Sequence, residues 1–214
     1  MAGQPKRKPE GAYHHPDLEQ ALVGAAIKTI SEQGIEGLTL RDIGSQLGVS
    51  RTAIYRHFAD KSALLARVAL EGFRIFRRAL RLAVDKARIA GADPIEEMGV
   101  AYIAFAQANQ SHYQTMFSGE CGSWHLHPEL VSEAEGAFDV LLSTIKEEQA
   151  AARISAAHDP TKLADIIWAG VHGLATLGLV GQLFAYDGSS AQLQELGRLQ
   201  GRILLAGLRS EGKF

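Results

Sequence analysis

Apolar residues recur along this chain at intervals of three and four, and no stretch alternates with the period of two that marks a strand. The first helical run covers Leu18 to Gln33, with Leu22, Val23, Ala26, Ile27 and Ile30 on one side and Gly34 as its stop. A second, shorter run carries Leu40, Ile43 and Leu47. Thr39 can cap it, Asp42 three residues on completes an approximate capping box, and Gly48 can end it in a left-handed turn. A third run starts at Ser50, a natural N-cap, with Val49 and Ile54 spaced as a hydrophobic staple. Ile54 and Phe58, four apart, share an inner face, while Arg51, Thr52, Tyr55 and Arg56 point outward. Two short helices joined by a tight glycine turn form a helix-turn-helix, and the first run would pack across both. The outward arginines, hydroxyl and tyrosine suit a nucleic-acid groove.

The rest of the chain continues in helical periods. Asp60 caps a long helix from Lys61 to about Arg88, with Leu65, Val68, Ala69, Gly72, Ile75, Phe76, Ala79 and Ala83 inward. Arg67, Arg74, Arg77, Arg78, Arg81 and Arg88 keep a stripe of it in water. Asp93-Pro94 opens another helix through Met98, Tyr102, Phe105 and Ala106. A short segment, His112 to Phe117, and an irregular stretch, 118–127, follow. Further helices run from Pro128 to about Ile154 and from Pro160 to Phe184. The last, Gln192 to Leu208, carries Leu193, Leu196, Leu199, Ile203 and Leu204. The expected fold is all-α: an N-terminal arm over 1–16, a three-helix head over 17–60 and a larger helical body over 61–214.

Composition narrows the class. With 214 residues, 46% hydrophobic and 21% charged, the chain is globular and long enough for one or two domains. A net charge of -2 excludes a nonspecific polycation, so any affinity for DNA has to be local. Lys6-Arg7-Lys8 is a basic patch that reads as a disordered tail in the free protein and as an arm along DNA when bound. A single cysteine, Cys121, rules out an internal disulfide and fits a reducing cytoplasm. The opening residues lack the apolar core of a secretory signal, so a cytoplasmic location is expected. Ile166 to Phe184 is nearly charge-free and approaches membrane-spanning length. His172, Thr176 and Gln182 within it, and flanks without basic anchors, argue for a helix at a subunit seam instead.

From about Leu18 to Leu65 the sequence closely resembles the DNA-binding domain of the TetR/AcrR family of bacterial transcriptional regulators. The matching pieces are Gly34, Leu38-Thr39, Asp42-Ile43, Gly48-Val49-Ser50, Ile54-Tyr55-Arg56-His57-Phe58 and Lys61. The resemblance implies that Thr39, Ser50, Tyr55, His57 and Lys61 contact phosphates or shape the turn, and that Arg51, Thr52 and Ala53 face base edges. Arg41 and Arg56 complete the DNA-binding set. Arg51 is the candidate for direct readout, because a guanidinium pairs bidentately with guanine. His57 reads equally as a helix-end cation. Further on, Trp168, His172 and Gly173 resemble the WHG type of TetR-family C-terminal domain, though a core tryptophan and a satisfied core histidine explain them as well.

Gly170, Gly173, Gly178 and Gly181 each cost about 0.8–1.0 kcal/mol inside a helix, which close approach of a neighbouring helix would offset. A seam between this helix and the last one, paired across a twofold axis, would supply that approach. Tyr102, Phe105, Tyr113, Met116, Phe117 and Trp124 ordinarily fill a helical core. The resemblance implies instead a cavity for a small, largely apolar effector, with Tyr102, Phe105, Met116, Phe117, Trp124, Trp168 and His172 as candidate contacts. His112, Gln107 and Asn109 are further polar candidates. Cys121, His125 and His127 would suit zinc or copper but lack an established spacing, so a metal-dependent enzyme or metal sensor is the alternative. No acid–base pair, nucleophile motif or phosphate loop supports catalysis, and no cofactor is expected. The leading expectation is a ligand-responsive repressor binding a near-palindromic double-stranded DNA operator as a homodimer. A body that recruits a protein partner is a third possibility.

Overall fold

Side-chain oxygens set the starts of the short helices. The computed structural model describes residues 18–122, 126–184 and 186–210, so the expected arm with Lys6-Arg7-Lys8 lies outside the described residues. Helix α1 spans Leu18–Gln33 and stops at Gly34. Helix α2, Leu40–Leu47, begins at Thr39, whose hydroxyl oxygen accepts from the Asp42 amide at 3.1 Å. The capping box is incomplete, because the Asp42 carboxylate accepts the Thr39 hydroxyl proton at 2.6 Å. Gly48 follows at φ 66°, and the next helix, α3, spans Arg51–His57 behind its Ser50 cap. Phe58 is buried as expected, but it sits just past α3 in extended backbone.

The angle between α2 and α3 depends on Gly44. A Cβ there would lie 2.2 Å from Ile54 Cδ1, and Ile54 is buried. The two helices therefore touch through a glycine on one and an isoleucine on the other, with Leu22, Ile30, Leu38 and Ile43 in the same core.

Helix α4, Lys61–Ala90, packs on α1 at one end and on α5 (Pro94–Ala108), α6 (Gln110–Phe117) and α7 (Pro128–Ala150) along the rest. Its buried stripe runs through Leu65, Ala69, Phe73, Phe76, Leu80, Val84 and Ala87. Ile75, Ala79 and Ala83, expected inside, are only partly covered. The expected solvated arginine stripe is largely tied down. Arg67 reaches Glu19 of α1 at 2.8 Å, Arg74 reaches Glu129 at 3.3 Å, Arg77 reaches Glu133 at 3.1 Å, and Arg88 pairs with Glu147.

Two helices end earlier than their apolar patterns suggested. Helix α7 stops at Ala150, four residues before Ile154, and Ala152 adopts φ 54°. Arg153 turns back onto the buried Glu148 carboxylate at 2.6 and 2.7 Å, while Gln149 donates to the Ser155 and His158 carbonyls. Ile154 is buried from this loop, which is why it mimicked a helical position. Helix α8 spans Pro160–Leu179, and Gly181 at φ 68° ends it rather than lying within it. Helix α9 spans Ser190–Ser210.

The glycines of α8 divide by face. A Cβ at Gly178 would meet Leu193 at 2.5 Å, and one at Gly170 would meet Gln200 at 2.4 Å, both on α9 of the same chain. Gly173 faces open space. Leu193 and Leu205 hold the inner side of α9, whereas Leu199 and Ile203 are 47% and 63% exposed, contrary to a single buried stripe. None of the described helices is long and apolar enough to cross a membrane. No strand occurs among the described residues.

Truncating Ile54 removes the side chain on which the α2–α3 angle rests. Ile54→Ala should destabilise the head by about 2–5 kcal/mol, read as a shift of its urea midpoint. An unchanged midpoint would mean that the head core does not depend on this contact.

Candidate nucleic-acid interface and ligand cavity

The outer side of the helix-turn-helix gathers most of the expected DNA-binding residues. Thr39, Arg41, Ser50, Arg51, Thr52, Tyr55, Arg56 and His57 are exposed, while Ala53 and Lys61 are partly covered. Arg41, Arg51, Arg56 and Lys61 have no ion pair among the described residues, in contrast to the paired arginines of α4. Arg51 is nonetheless oriented, because its guanidinium carbon lies 5.3 Å from the Tyr55 ring centroid. This cation–π contact lowers the freedom the arginine would lose on meeting a base. The two capping hydroxyls differ in what they can offer. Ser50 accepts from the Ala53 amide and keeps its proton to donate, whereas the Thr39 proton is committed to Asp42.

A cavity of ≈ 990 Å³ opens between α4, α5, α6, α7 and α8. Four of the expected contacts, Tyr102, Met116, Phe117 and Trp168, line it. Phe105 does not; it packs on Phe76, ring centroids 4.9 Å apart. His172 stands behind the wall, and Trp124 and His125 lie outside the described residues. Pattern reading missed Phe73, Phe76 and Leu80 of α4, Phe138 and Leu141 of α7, and Ile167 and Val171 of α8. These positions read as ordinary core, and nothing in their spacing distinguishes a wall facing a void from one facing another side chain.

Gln107 and Asn109, two of the expected polar groups, are engaged elsewhere. Gln107 donates to the Ser190 carbonyl at 3.4 Å and accepts from Gln194 at 3.1 Å, joining α5 to α9. Asn109 donates to the Phe105 carbonyl. His112 is buried 3.6 Å from the Glu71 carboxylate. The polar lining comes instead from Arg77, Ser132, Glu135 and Asp139.

His172 organises a polar knot behind the cavity. Its Nδ1 lies 2.8 Å from the Tyr102 hydroxyl and 3.0 Å from the Tyr113 hydroxyl, and Tyr113 also reaches Thr176 at 3.0 Å. Burial pushes both tyrosine hydroxyls above their ordinary range and holds the His172 imidazole below its ordinary 6.5. Trp168 thus lines the cavity, His172 braces it and Gly173 faces open space.

Cys121 is buried, and its thiol points to the Thr115 carbonyl at 3.4 Å. Burial, with Glu120 nearby, raises its pKa to about 11, which favours a protonated thiol over a metal-binding thiolate. Among the described residues no three His, Cys, Asp or Glu side chains gather as a metal set.

Two measurements follow from these environments. Cys121 should react with a disulfide reagent at about pH 8 at least a hundredfold more slowly in the folded protein than in urea; equal rates would place the thiol in solvent. Burial also lowers the pKa of His112. Because both histidines are held below 6.5, the unfolded chain takes up protons first as pH falls through that value, so folding stability declines on acidification. His172→Gln should shrink the stability difference between about pH 7.5 and about pH 5.5 in urea titrations, and an unaltered difference would remove His172 as a contributor.

A family model described as "Bacterial regulatory proteins, tetR family" matches residues 22–68, and one described as "Tetracyclin repressor-like, C-terminal domain" matches residues 95–197. The tetracycline repressor protein class D of Escherichia coli is 36% identical over 52 residues, 24% of each chain. The matched segment thus spans about a quarter of that relative's length. The HTH-type transcriptional regulator BetI of Agrobacterium fabrum is 32% identical over 102 residues, 47% of each chain. A solved structure of a protein with unknown function from Rhodococcus sp. RHA1 superposes with a TM-score of 0.78 at 28% identity, covering 94% of this chain and 100% of that one. FadR from Bacillus subtilis, solved in complex with stearoyl-CoA, shares the fold with a TM-score of 0.70 at 17% identity, covering 88% and 98%. With both family models matched in chain order and the helix-turn-helix in the first of them, the protein belongs to the TetR family of bacterial regulatory proteins.

Proposed function

We propose that this TetR-family chain is a ligand-responsive repressor that binds a near-palindromic operator as a homodimer and releases it when a small, largely apolar effector enters the body. The observation that carries the DNA reading is the set of exposed cations on the helix-turn-helix without carboxylate partners, led by Arg51 stacked on Tyr55. Cations that pair within the protein contribute little to a phosphate or a base; these remain available for both.

The dimer reading rests on the outer face of α8 and α9. Ile166, Leu177, Val180, Leu199 and Ile203 are exposed there, and Gly173 opens the same helix to close backbone approach. Burying such a stripe against its own copy would bring two α3 helices to successive major grooves, about 34–36 Å apart. Loss of that spacing is a sufficient means of release.

Support for the effector reading comes from the cavity itself. Its walls are largely aromatic and aliphatic, and its volume suits a drug-sized molecule. Phe73, Phe76, Arg77 and Leu80 of its lining belong to α4, whose first turn follows the helix-turn-helix directly. An occupant that prefers one position of α4 therefore biases the head. The stearoyl-CoA bound by the Bacillus subtilis relative is a precedent for an apolar chain within this fold.

Selection from random duplex DNA should return a two-half-site sequence. On that sequence Arg51→Ala should weaken binding by about 1–3 kcal/mol and relax preference at one base position. Lys61→Ala should weaken all sequences alike and reduce the salt dependence by about one counterion. Unchanged affinity in both Arg51→Ala and Tyr55→Phe would remove this face as the reading surface. Leu177→Lys combined with Ile203→Lys should yield monomers in sedimentation; a persistent dimer would place the seam elsewhere.

A further inference from the structure

We propose that the cavity accepts an uncharged, mostly apolar molecule carrying one carbonyl-type oxygen, and that Arg77 is the side chain that binds that oxygen. The proposal rests on the reading of the cavity as the effector site and specifies the ligand's chemistry.

Arg77 is the cation on a wall otherwise dominated by carbon. Its Nη1 donates to Glu133 at 3.1 Å, but its Nε is buried and meets no acceptor among the described residues. The guanidinium lies directly over α7, where a Cβ at Gly136 would come within 2.6 Å of Cζ and 2.7 Å of Nη1. Gly136 therefore allows this parked position, and any larger residue would push the guanidinium off the helix. A buried N–H without a partner is unfavourable, so an acceptor offered from the cavity would draw the group off Gly136 and complete its hydrogen bonding.

Charge decides which acceptor fits. Arg74 and Arg77 face Glu129 and Glu133, a balanced set, since Arg74 also approaches Glu133 at 3.6 Å. Glu135 and Asp139, exposed on α7 and part of the lining, add negative charge. A carboxylate ligand would enter this excess, and an ammonium ligand would meet Arg77 itself. A ketone, ester, lactone or amide oxygen accepts from the guanidinium without adding a charge to be desolvated. The site also has a route to the head, because Arg77 and Glu133 join α4 to α7 and the new bond competes for the same guanidinium.

The test uses the full chain and the neutral fluorophore N-phenyl-1-naphthylamine, displaced by methyl decanoate, decanoate or decyltrimethylammonium. Methyl decanoate should displace it at the lowest concentration. Arg77→Met should weaken the ester about tenfold while changing the fluorophore's own affinity by less than about twofold. Arg77→Lys, which keeps a cation opposite Glu133, should lose most of the same ester affinity, and circular dichroism melts confirm that both variants fold. Ester affinity that ignores both substitutions overturns the proposal, as does tighter binding of the carboxylate or the ammonium. A wild-type protein that binds no fluorophore overturns it differently, by removing the cavity as an apolar site altogether.

Discussion

The burial of one stripe along α4 holds the molecule together. That 30-residue helix places Leu65, Val68 and Ala69 in a core continuous with Leu22 and Ile30 of the head, then carries Phe73, Phe76 and Leu80 to the wall of the cavity. The head is too small to enclose a large core of its own, so its buried residues continue into the stripe of α4. A rigid helix shared by two sites makes any displacement at one of them felt at the other. On the function proposed above, coupling would lie in where α4 comes to rest, and it would require a ligand that distinguishes its positions.

Arginines show how the same residue type divides between structure and surface chemistry. On α4, Arg67, Arg74, Arg77 and Arg88 reach carboxylates on α1 and α7, pairs that are mostly half exposed and worth little singly. Their role is positional, setting the register of α4 against its neighbours. On α2 and α3, Arg41, Arg51 and Arg56 stand in solvent without such partners among the described residues. Composition cannot separate these roles, because the difference lies in whether a carboxylate from a distant segment comes within reach.

The cavity persists because its lining is braced from behind. Tyr102 and Tyr113 place their hydroxyls on His172, and edge-on contacts among Phe73, Phe117, Tyr113 and His172 tie α4, α6 and α8 into one layer. Gln107 and Asn109, expected to meet a ligand, instead donate to the Ser190 and Phe105 carbonyls. What faces the void is largely apolar, interrupted by Arg77, Ser132, Glu135 and Asp139.

Local sequence by itself determined the helix-turn-helix. Thr39, Gly48, Ser50 and Asp60 act on amides within a few residues, so caps, turn and outward face were all legible from spacing. The same holds for Pro94, Pro128 and Pro160, each at the first turn of its helix. Only tertiary structure decided the ends of α7 and α8, the α2–α3 contact through Gly44 and the membership of the cavity wall. Ile154 continues an apolar pattern yet lies in a loop held by Arg153 on Glu148 and by Gln149. Phe105 and Phe76 are equally aromatic and equally buried, but Phe76 meets the void and Phe105 does not. The reason is physical: capping and periodicity are interactions between near neighbours, whereas a cavity is defined by which distant side chains fail to fill a shared space.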